Sequence, residues 1–477
     1  MQHSTFQLNI FEAVWEGNSS ILVNAVAGSG KTTTLIESVN RVTHGSIIIL
    51  AFAKKIADEL KQRVTTPGVK ITTLHANGLA ILNSKKKRLV KQYKLLDIAQ
   101  ELELKEDYAY SRAVTFLKDY GYPFTGLSIE DILEEQDFDY PITERKEDFI
   151  NNCEKVLEQS NKIDTIVDFA DMGYLPILQN LPFKKYDWIF VDEAQDLNRL
   201  QQMTIKNMMH NTTNVVAFGD RNQAIYGFRG ADKNSFDTLQ KMTKAKTFPL
   251  SISYRCGKSI VELAKTKVPH MEAFENSDEG SVHYINKDSF SVSSLKRTLE
   301  LKKSIAVVSR YNSQLTKFAF LLAEERVPFY FVNNKYAIGL KGLIKKYKSK
   351  NLEDLKKDLT RLSIENDEQE SPNQTLNDKI NSILSIAHQN HVTSINDLIF
   401  EIDKIFNNKS GIPLYTIHGS KGLEFDHVIF LGSDLLPCKY AQTEWQLEQE
   451  NNLFYVAVTR AKKHLTMVEV KNVRKDY

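Results

Sequence analysis

The sequence predicts an α/β fold, parallel sheets interrupted by two helical insertions, and three observations predict it. Short apolar bursts recur at residues 21–26, 46–52, 188–191, 215–218, 305–308 and 427–431. Each runs into a loop rich in Gly, Asp or Lys and then a helical pattern, the alternation from which parallel sheets are built. The length of 477 residues suits several cores, since domains commonly hold roughly 150 residues each. Two stretches then break the rhythm, at about 84–163 and about 336–410, where helical patterning and dense charge replace the bursts.

Composition narrows the class. Lys and Arg number 62 against 60 Asp and Glu, a net charge of +2, so any nucleic-acid surface must be a local stripe. Hydrophobic residues at 42% and charged residues at 26% are those of a folded globular chain. Cys153, Cys256 and Cys438 lie far apart with no C-x-x-C pair, which argues against a disulfide framework or a zinc ribbon and for a reducing compartment. The start, MQHSTFQLN, lacks a signal peptide's basic and apolar regions. The most apolar run, 47–53, is far too short for a membrane helix. These features give the expectation of a cytoplasmic protein with no membrane association.

The first burst ends in Ala25-Val-Ala-Gly-Ser-Gly-Lys-Thr32. A strand, a glycine loop and a helix start in that order turn backbone N–H groups and a helix N-terminus onto phosphate oxygens. Ala27, Gly28, Ser29, Gly30, Thr32 and Thr33 form the expected cradle. Lys31 would reach the β- and γ-phosphates, and the Thr32 hydroxyl would hold Mg²⁺. Ala25 stands where the general pattern has its first Gly. The third burst runs Trp188-Ile-Phe-Val-Asp-Glu-Ala-Gln-Asp196 and delivers two adjacent carboxylates at its end. Asp192 suits Mg²⁺, and Glu193 suits orienting or deprotonating an attacking water. The two motifs together imply a nucleoside triphosphatase.

Further blocks follow in a fixed order: Thr73-Leu-His75, Phe218-Gly-Asp-Arg-Asn-Gln-Ala-Ile-Tyr-Gly-Phe-Arg-Gly-Ala231, Ser253-Tyr-Arg255, Thr416-Ile-His-Gly-Ser-Lys-Gly-Leu-Glu-Phe425 and Leu453-Phe-Tyr-Val-Ala-Val-Thr-Arg-Ala-Lys462. With Gln7 near the start, this series resembles the UvrD/Rep-like branch of superfamily 1 DNA helicases over essentially the whole chain. The resemblance implies two RecA-like motor domains binding ATP and Mg²⁺ between them. The first would use residues 1–83 and 164–250, with 84–163 as its helical insertion. The second would use 251–335 and 411–477, with 336–410 as a short insertion.

Roles follow by resemblance, residue by residue. Gln7 would read the adenine edge, and Tyr254 would stack on the base. Gln223 would sense the γ-phosphate and couple it to the DNA groove. Arg255 and Arg460 are similar to arginine fingers, and Glu424 would touch the ribose or the phosphate cradle. Phe52, Tyr226 and Phe228 fall in blocks that supply stacking platforms, where each base stack is worth about 1–3 kcal/mol. His75, Arg229 and His418 are the candidates for backbone contacts. Lys54 stands where the family block usually has Asn.

The implied activity is ATP-dependent 3′→5′ travel on single-stranded DNA with unwinding at single-strand/duplex junctions, by a monomer or weak oligomer, with replication or repair proteins as possible partners. A translocase that strips bound proteins, a decayed non-catalytic binding module and a 5′→3′ relative of the RecD type are the competing readings. The short second insertion makes lone unwinding less secure than translocation, and the chain leaves no room for a nuclease or docking tail after Arg460. Its compactness is compatible with a phage or mobile-element source. Lys31→Ala is expected to abolish nucleotide turnover with the circular-dichroism spectrum unchanged; substantial residual hydrolysis would remove Lys31 from the phosphate role.

Overall fold

A computed structural model describes residues 3–84, 86–136, 138, 140–141, 144–227, 230–232, 234–286, 304–332, 335–368 and 373–470. The chain divides into two compact units, Met1–Ser251 and Ile252–Tyr477. Each is built on a six-stranded sheet whose pairings are all parallel, so the predicted α/β class with two parallel-sheet domains is what the structure has. Among the described residues no helix is long and apolar enough to cross a membrane.

In the first unit the sheet strands are β1 (Ile21–Ala25), β2 (Ile47–Ala51), β3 (Lys70–Thr73), β6 (Trp188–Val191), β7 (Asn214–Gly219) and β8 (Lys246–Leu250). They lie in the order β3-β2-β6-β7-β1-β8. The central strands are apolar at nearly every position because helices cover both faces. Alternation then divides their side chains between two cores. Ile21, Val23, Ile47, Ile49, Trp188, Phe190, Val216 and Phe218 enter one. Leu22, Ile48, Leu50, Ile189, Val191, Val215 and Ala217 enter the other.

The first helical insertion has an apolar core of its own. Helices Lys94–Glu101, Asp107–Tyr120, Ile129–Glu135 and Lys146–Lys162 contribute Leu95, Val114, Leu117, Ile132, Phe149 and Val156, and the cluster reaches Leu82, Tyr174 and Leu200. Two short parallel strands, β4 (Leu89–Val90) and β5 (Ile166–Val167), pair where the chain enters and leaves. Below them sits a buried ionic cluster. Asp171 accepts from Lys94 Nζ at 2.7 Å and from Lys118 Nζ at 2.6 Å, and Asp168 lies 3.2 Å from Lys118. Burial alone would lower the Lys118 pKa, but Asp168 and Asp171 outweigh it and the net shift is upward.

The second unit opens with a short pair, β9 (Ile252–Ser253) and β10 (Glu272–Ala273). Its sheet holds β11 (Ser281–Asn286), β12 (Ile305–Ser309), β13 (Phe329–Phe331), β14 (Ile412–Thr416), β15 (Phe425–Leu431) and β16 (Ala461–Glu469), in the order β11-β16-β15-β12-β14-β13. Here the helices between β13 and β14 share one core with the sheet: Leu340, Leu355, Ile383 and Ile402 pack in the same cluster as Val307, Leu414 and Ile429.

Truncating one partner of the buried ionic cluster strands its acids in a low dielectric. Lys118→Met is therefore expected to destabilise the first unit by about 3–5 kcal/mol, read as a lowered urea midpoint; a midpoint equal to the parent's would show the cluster to be worth no more than the apolar side chain replacing it.

Candidate functional site

The carboxyl ends of β1, β7 and β6 lie side by side, with Asn24 opposite Gly219 and Val191 opposite Ala217. Ligands of open parallel sheets bind at such ends, and of the predicted residues Lys31, Asp192 and Glu193 come together there. The loop after β1 turns through Gly28 and Gly30 at φ of 74° and 80°, and the helix Lys31–Val39 begins at once. Ala27 and Ser29 are buried in it, and the Ser29 hydroxyl, among the described residues, has no hydrogen-bond partner. Thr32 and Thr33 occupy the first turn, where Thr33 Oγ1 accepts from Arg63 Nη2 at 3.3 Å.

Lys31 Nζ lies 2.9 Å from Glu193 Oε2. Burial works to deprotonate this ammonium, but Glu193, Asp220 and Asp192 together outweigh it and raise its pKa. Asp192 pays for the crowding: burial, then the adjacent Glu193, push its carboxyl up to about 7 although Lys31 opposes them. Burial likewise raises Asp220, against the pull of Lys31 and a hydrogen bond from Gln223. Three acids thus face one ammonium. A divalent cation held by Asp192 and the Thr32 hydroxyl fits this excess of negative charge, and the orphaned Ser29 hydroxyl fits a loop that receives an anion.

Glu193 adopts φ 52° and ψ 46°, the left-handed region, which costs a non-glycine residue about 1–3 kcal/mol. A residue that motif reading left without a role bonds its carboxylate. Gln195 Nε2 donates to Glu193 Oε2 at 2.6 Å, while Gln195 Oε1 accepts from the Asp220 N–H at 3.0 Å. Asp220 in turn accepts from Gln223 Nε2 at 2.7 Å. Gln195 and Asp220 both stand inside recognisable blocks, yet no spacing rule says that an amide two residues past one strand will span to the next.

Gln7 has a double structural role. Its Oε1 accepts from the Ser4 N–H at 3.0 Å, closing a capping box, and its Nε2 donates to Thr34 Oγ1 at 3.1 Å. The amide therefore abuts the phosphate loop's helix. Phe52 is 41% exposed, and its ring lies parallel to that of Tyr226, with centroids 6.4 Å apart and planes 4° from parallel. His75 sits edge-on to Phe169 at 6.2 Å, and burial lowers its pKa, so it offers a neutral imidazole. Phe228 and Arg229 lie outside the described residues. Near the start of the first insertion, Lys86 pairs with Asp164 at 3.4 Å, and Arg88 Nε donates to the Asp164 carbonyl at 2.9 Å.

In the second unit, Arg255 Nε lies 2.6 Å from Glu424 Oε2. Tyr254 is 39% exposed and packs on Phe274 at 4.9 Å. Arg460 is buried, donating to the carbonyls of Val456 and Leu423 at 2.9 and 3.0 Å and to Thr459 Oγ1 at 3.2 Å. His418 lies in the short helix Ile417–Ser420, which Thr416 caps through the Gly419 N–H at 3.2 Å.

Gly219 leaves no room for a side chain: an added Cβ would come within 2.5 Å of Gln195 Oε1 and 2.6 Å of the Phe236 ring. Gly219→Ala is expected to destabilise the first unit by about 1–3 kcal/mol, measured by urea denaturation; an unchanged midpoint would show that β7 and Gln195 separate without cost.

Comparison with known proteins agrees with this arrangement. Residues 7–244 match the family model of the UvrD/REP helicase N-terminal domain, and residues 413–468 match that of the UvrD-like helicase C-terminal domain. The chain is 26% identical over 364 residues to the ATP-dependent DNA helicase Rep of Buchnera aphidicola subsp. Baizongia pistaciae, covering 66% of this chain and 53% of that protein. It is 26% identical over 520 residues to the F-box DNA helicase 1 of Gallus gallus, covering 95% of this chain and 47% of that protein. A probable DNA helicase II homolog of Mycoplasma genitalium is 22% identical, with 97% and 84% covered. The chain thus spans about half the length of the first two of these relatives. A solved arterivirus nonstructural protein 10 helicase aligns at 13% identity with a TM-score of 0.37, over 98% of this chain and 62% of that one. The two family models, one for each unit and together matching well over half of the 477 residues, place this chain in the UvrD/Rep-like family of superfamily 1 helicases.

Proposed function

We propose that the chain hydrolyses ATP with Mg²⁺ and uses the cycle to travel 3′→5′ along single-stranded DNA, opening duplex at a junction. One observation carries the reading: the Lys31–Glu193 pair and its neighbouring acids share a unit with the parallel rings of Phe52 and Tyr226. A phosphate site and a stacking platform on one scaffold are what a motor coupled to a nucleic acid needs. The family membership and the names of the relatives support the same reading.

The residues then take these roles. Lys31 exchanges Glu193 for the β- and γ-phosphates of ATP. Glu193, released from that pair, orients and deprotonates the attacking water. Thr32 and Asp192 would hold Mg²⁺, which would supply positive charge for the phosphate oxygens. Gln223 senses the γ-phosphate, and Arg255 and Arg460 of the second unit stabilise charge on the transferring group, with Glu424 near the ribose. Arg255 must first leave Glu424, and Arg460 its carbonyl partners. Gln7 reads adenine, and Tyr254 stacks on it. Phe52, Tyr226 and Phe228 stack on bases, while Arg229, His418 and the neutral His75 bond the strand's backbone. The single-stranded track, the junction and any replication or repair partner belong to this proposal, as does action in the cytoplasm or on the nucleoid.

The test is ATP turnover with and without single-stranded DNA, followed by strand displacement on 3′-tailed and 5′-tailed duplexes. Stimulation with unwinding from the 3′ tail alone is expected. Stimulation without unwinding would favour the protein-stripping translocase, unwinding from the 5′ tail would reverse the polarity, and no stimulation would overturn the DNA track. Glu193→Gln should retain ATP binding and lower turnover by about 10²–10⁴-fold; full turnover would assign the water to another residue.

A further inference from the structure

Glu193 is held from two sides, and only one of them is the phosphate-loop lysine. On the other side stands Gln195, a buried side chain whose two amide atoms face different strands. Its donor meets the Glu193 carboxylate at 2.6 Å, and its acceptor meets the Asp220 N–H at 3.0 Å. The orientation is forced. Turned over, the amide would set oxygen against carboxylate and NH₂ against N–H. The close packing of Gly219 on Gln195 Oε1 leaves the amide little space to swing independently of β7.

The path continues past β7. Asp220 accepts from the Asn222 N–H at 3.0 Å and from Gln223 Nε2 at 2.7 Å. Ile225, two residues on, is wholly buried and anchors the loop, and Tyr226 follows with its ring against Phe52. The acid proposed to activate water is therefore joined to the proposed base-stacking platform by hydrogen bonds and one short, anchored loop, all within the first unit.

We propose that Gln195 is a positioning residue that transmits occupancy of the Phe52–Tyr226 platform to Glu193. A strand on the platform shifts the loop after β7, the Asp220 N–H moves with it, and the amide of Gln195 carries the shift to the Glu193 carboxylate as Lys31 turns to phosphate. The inference rests on the reading of the chain as a DNA-stimulated ATPase and adds the route by which stimulation reaches the water.

The experiment compares the parent chain with Gln195→Met, which keeps the volume but neither donates nor accepts at that reach. Basal ATP turnover, turnover with saturating oligo(dT), affinity for a fluorescent non-hydrolysable ATP analogue and affinity for oligo(dT) are measured on both. Stimulation by oligo(dT) is expected to fall about 10-fold while both affinities hold and basal turnover changes much less. If basal and stimulated rates fall by the same factor, Gln195 merely supports Glu193 and the relay is wrong. Undiminished stimulation overturns it as well. Should the methionine variant not fold, Gln195→Leu removes both the donor and the acceptor in a smaller side chain, and retained stimulation there sinks the proposal. A parent chain that oligo(dT) does not stimulate at all would instead fail the underlying reading, and the relay with it.

Discussion

Three acids sharing one ammonium is the constraint on which the first unit's site depends. Asp192, Glu193 and Asp220 are brought to Lys31 because β6, β7 and β1 are adjacent and parallel, so their carboxyl ends open to the same side. Burial disfavours every charge in the group. Lys31 and hydrogen bonds to the carboxylates offset the repulsion in part, and Asp192, pushed up to about 7, shows how incompletely they do so. Such a site concentrates negative charge where burial disfavours it.

The two insertions are attached by different physics. The first carries its own apolar core and a cluster of buried ions, and a two-residue strand pair closes its entrance. Its helix Asp107–Tyr120 also reaches the site's flank, where Asp119 Oδ1 accepts from Asn198 Nδ2 at 2.9 Å just after the acidic block. Burial and the neighbouring Asp168 push that carboxyl up to about 7 against the pull of Lys118. The helices of the second insertion instead share a continuous core with the sheet. Substitutions in them should therefore be felt by the sheet directly, whereas the first insertion can yield within its own core.

Much of this was legible beforehand, and the gaps have physical causes. Central strands announce themselves because both faces are buried, as the all-apolar β2 does. The edge strands β3, β8, β11 and β13 did not, nor did the interior β14 and β16: β3 reads Lys-Ile-Thr-Thr, β8 contains Pro249, β11 has no buried position, β13 is only three residues long, β14 contains Pro413, and β16 opens Ala-Lys-Lys-His. Lys31, Asp192 and Glu193 could be read from a strand-end pattern. Gln195 could not, because its meaning comes from the strand beside it. Nor does a motif say that His75 is neutral, that Gln7 closes a capping box, or that Arg460 is buried among carbonyls, for each of these depends on what packs around the side chain.

The amino-acid sequence by itself determined the class of fold, the glycine loop with its paired acids and the family, because these rest on local patterns: apolar runs, glycines at a strand end, and blocks in a fixed order. The tertiary structure alone decided which charges confront one another, how strongly Asp192 is pressed toward protonation, and that an amide joins Glu193 to the loop bearing Tyr226. The reason is that electrostatic strength depends on burial and on distances across strands. Those quantities come into being only when segments more than a hundred residues apart, such as Lys31 and Glu193, meet in one sheet.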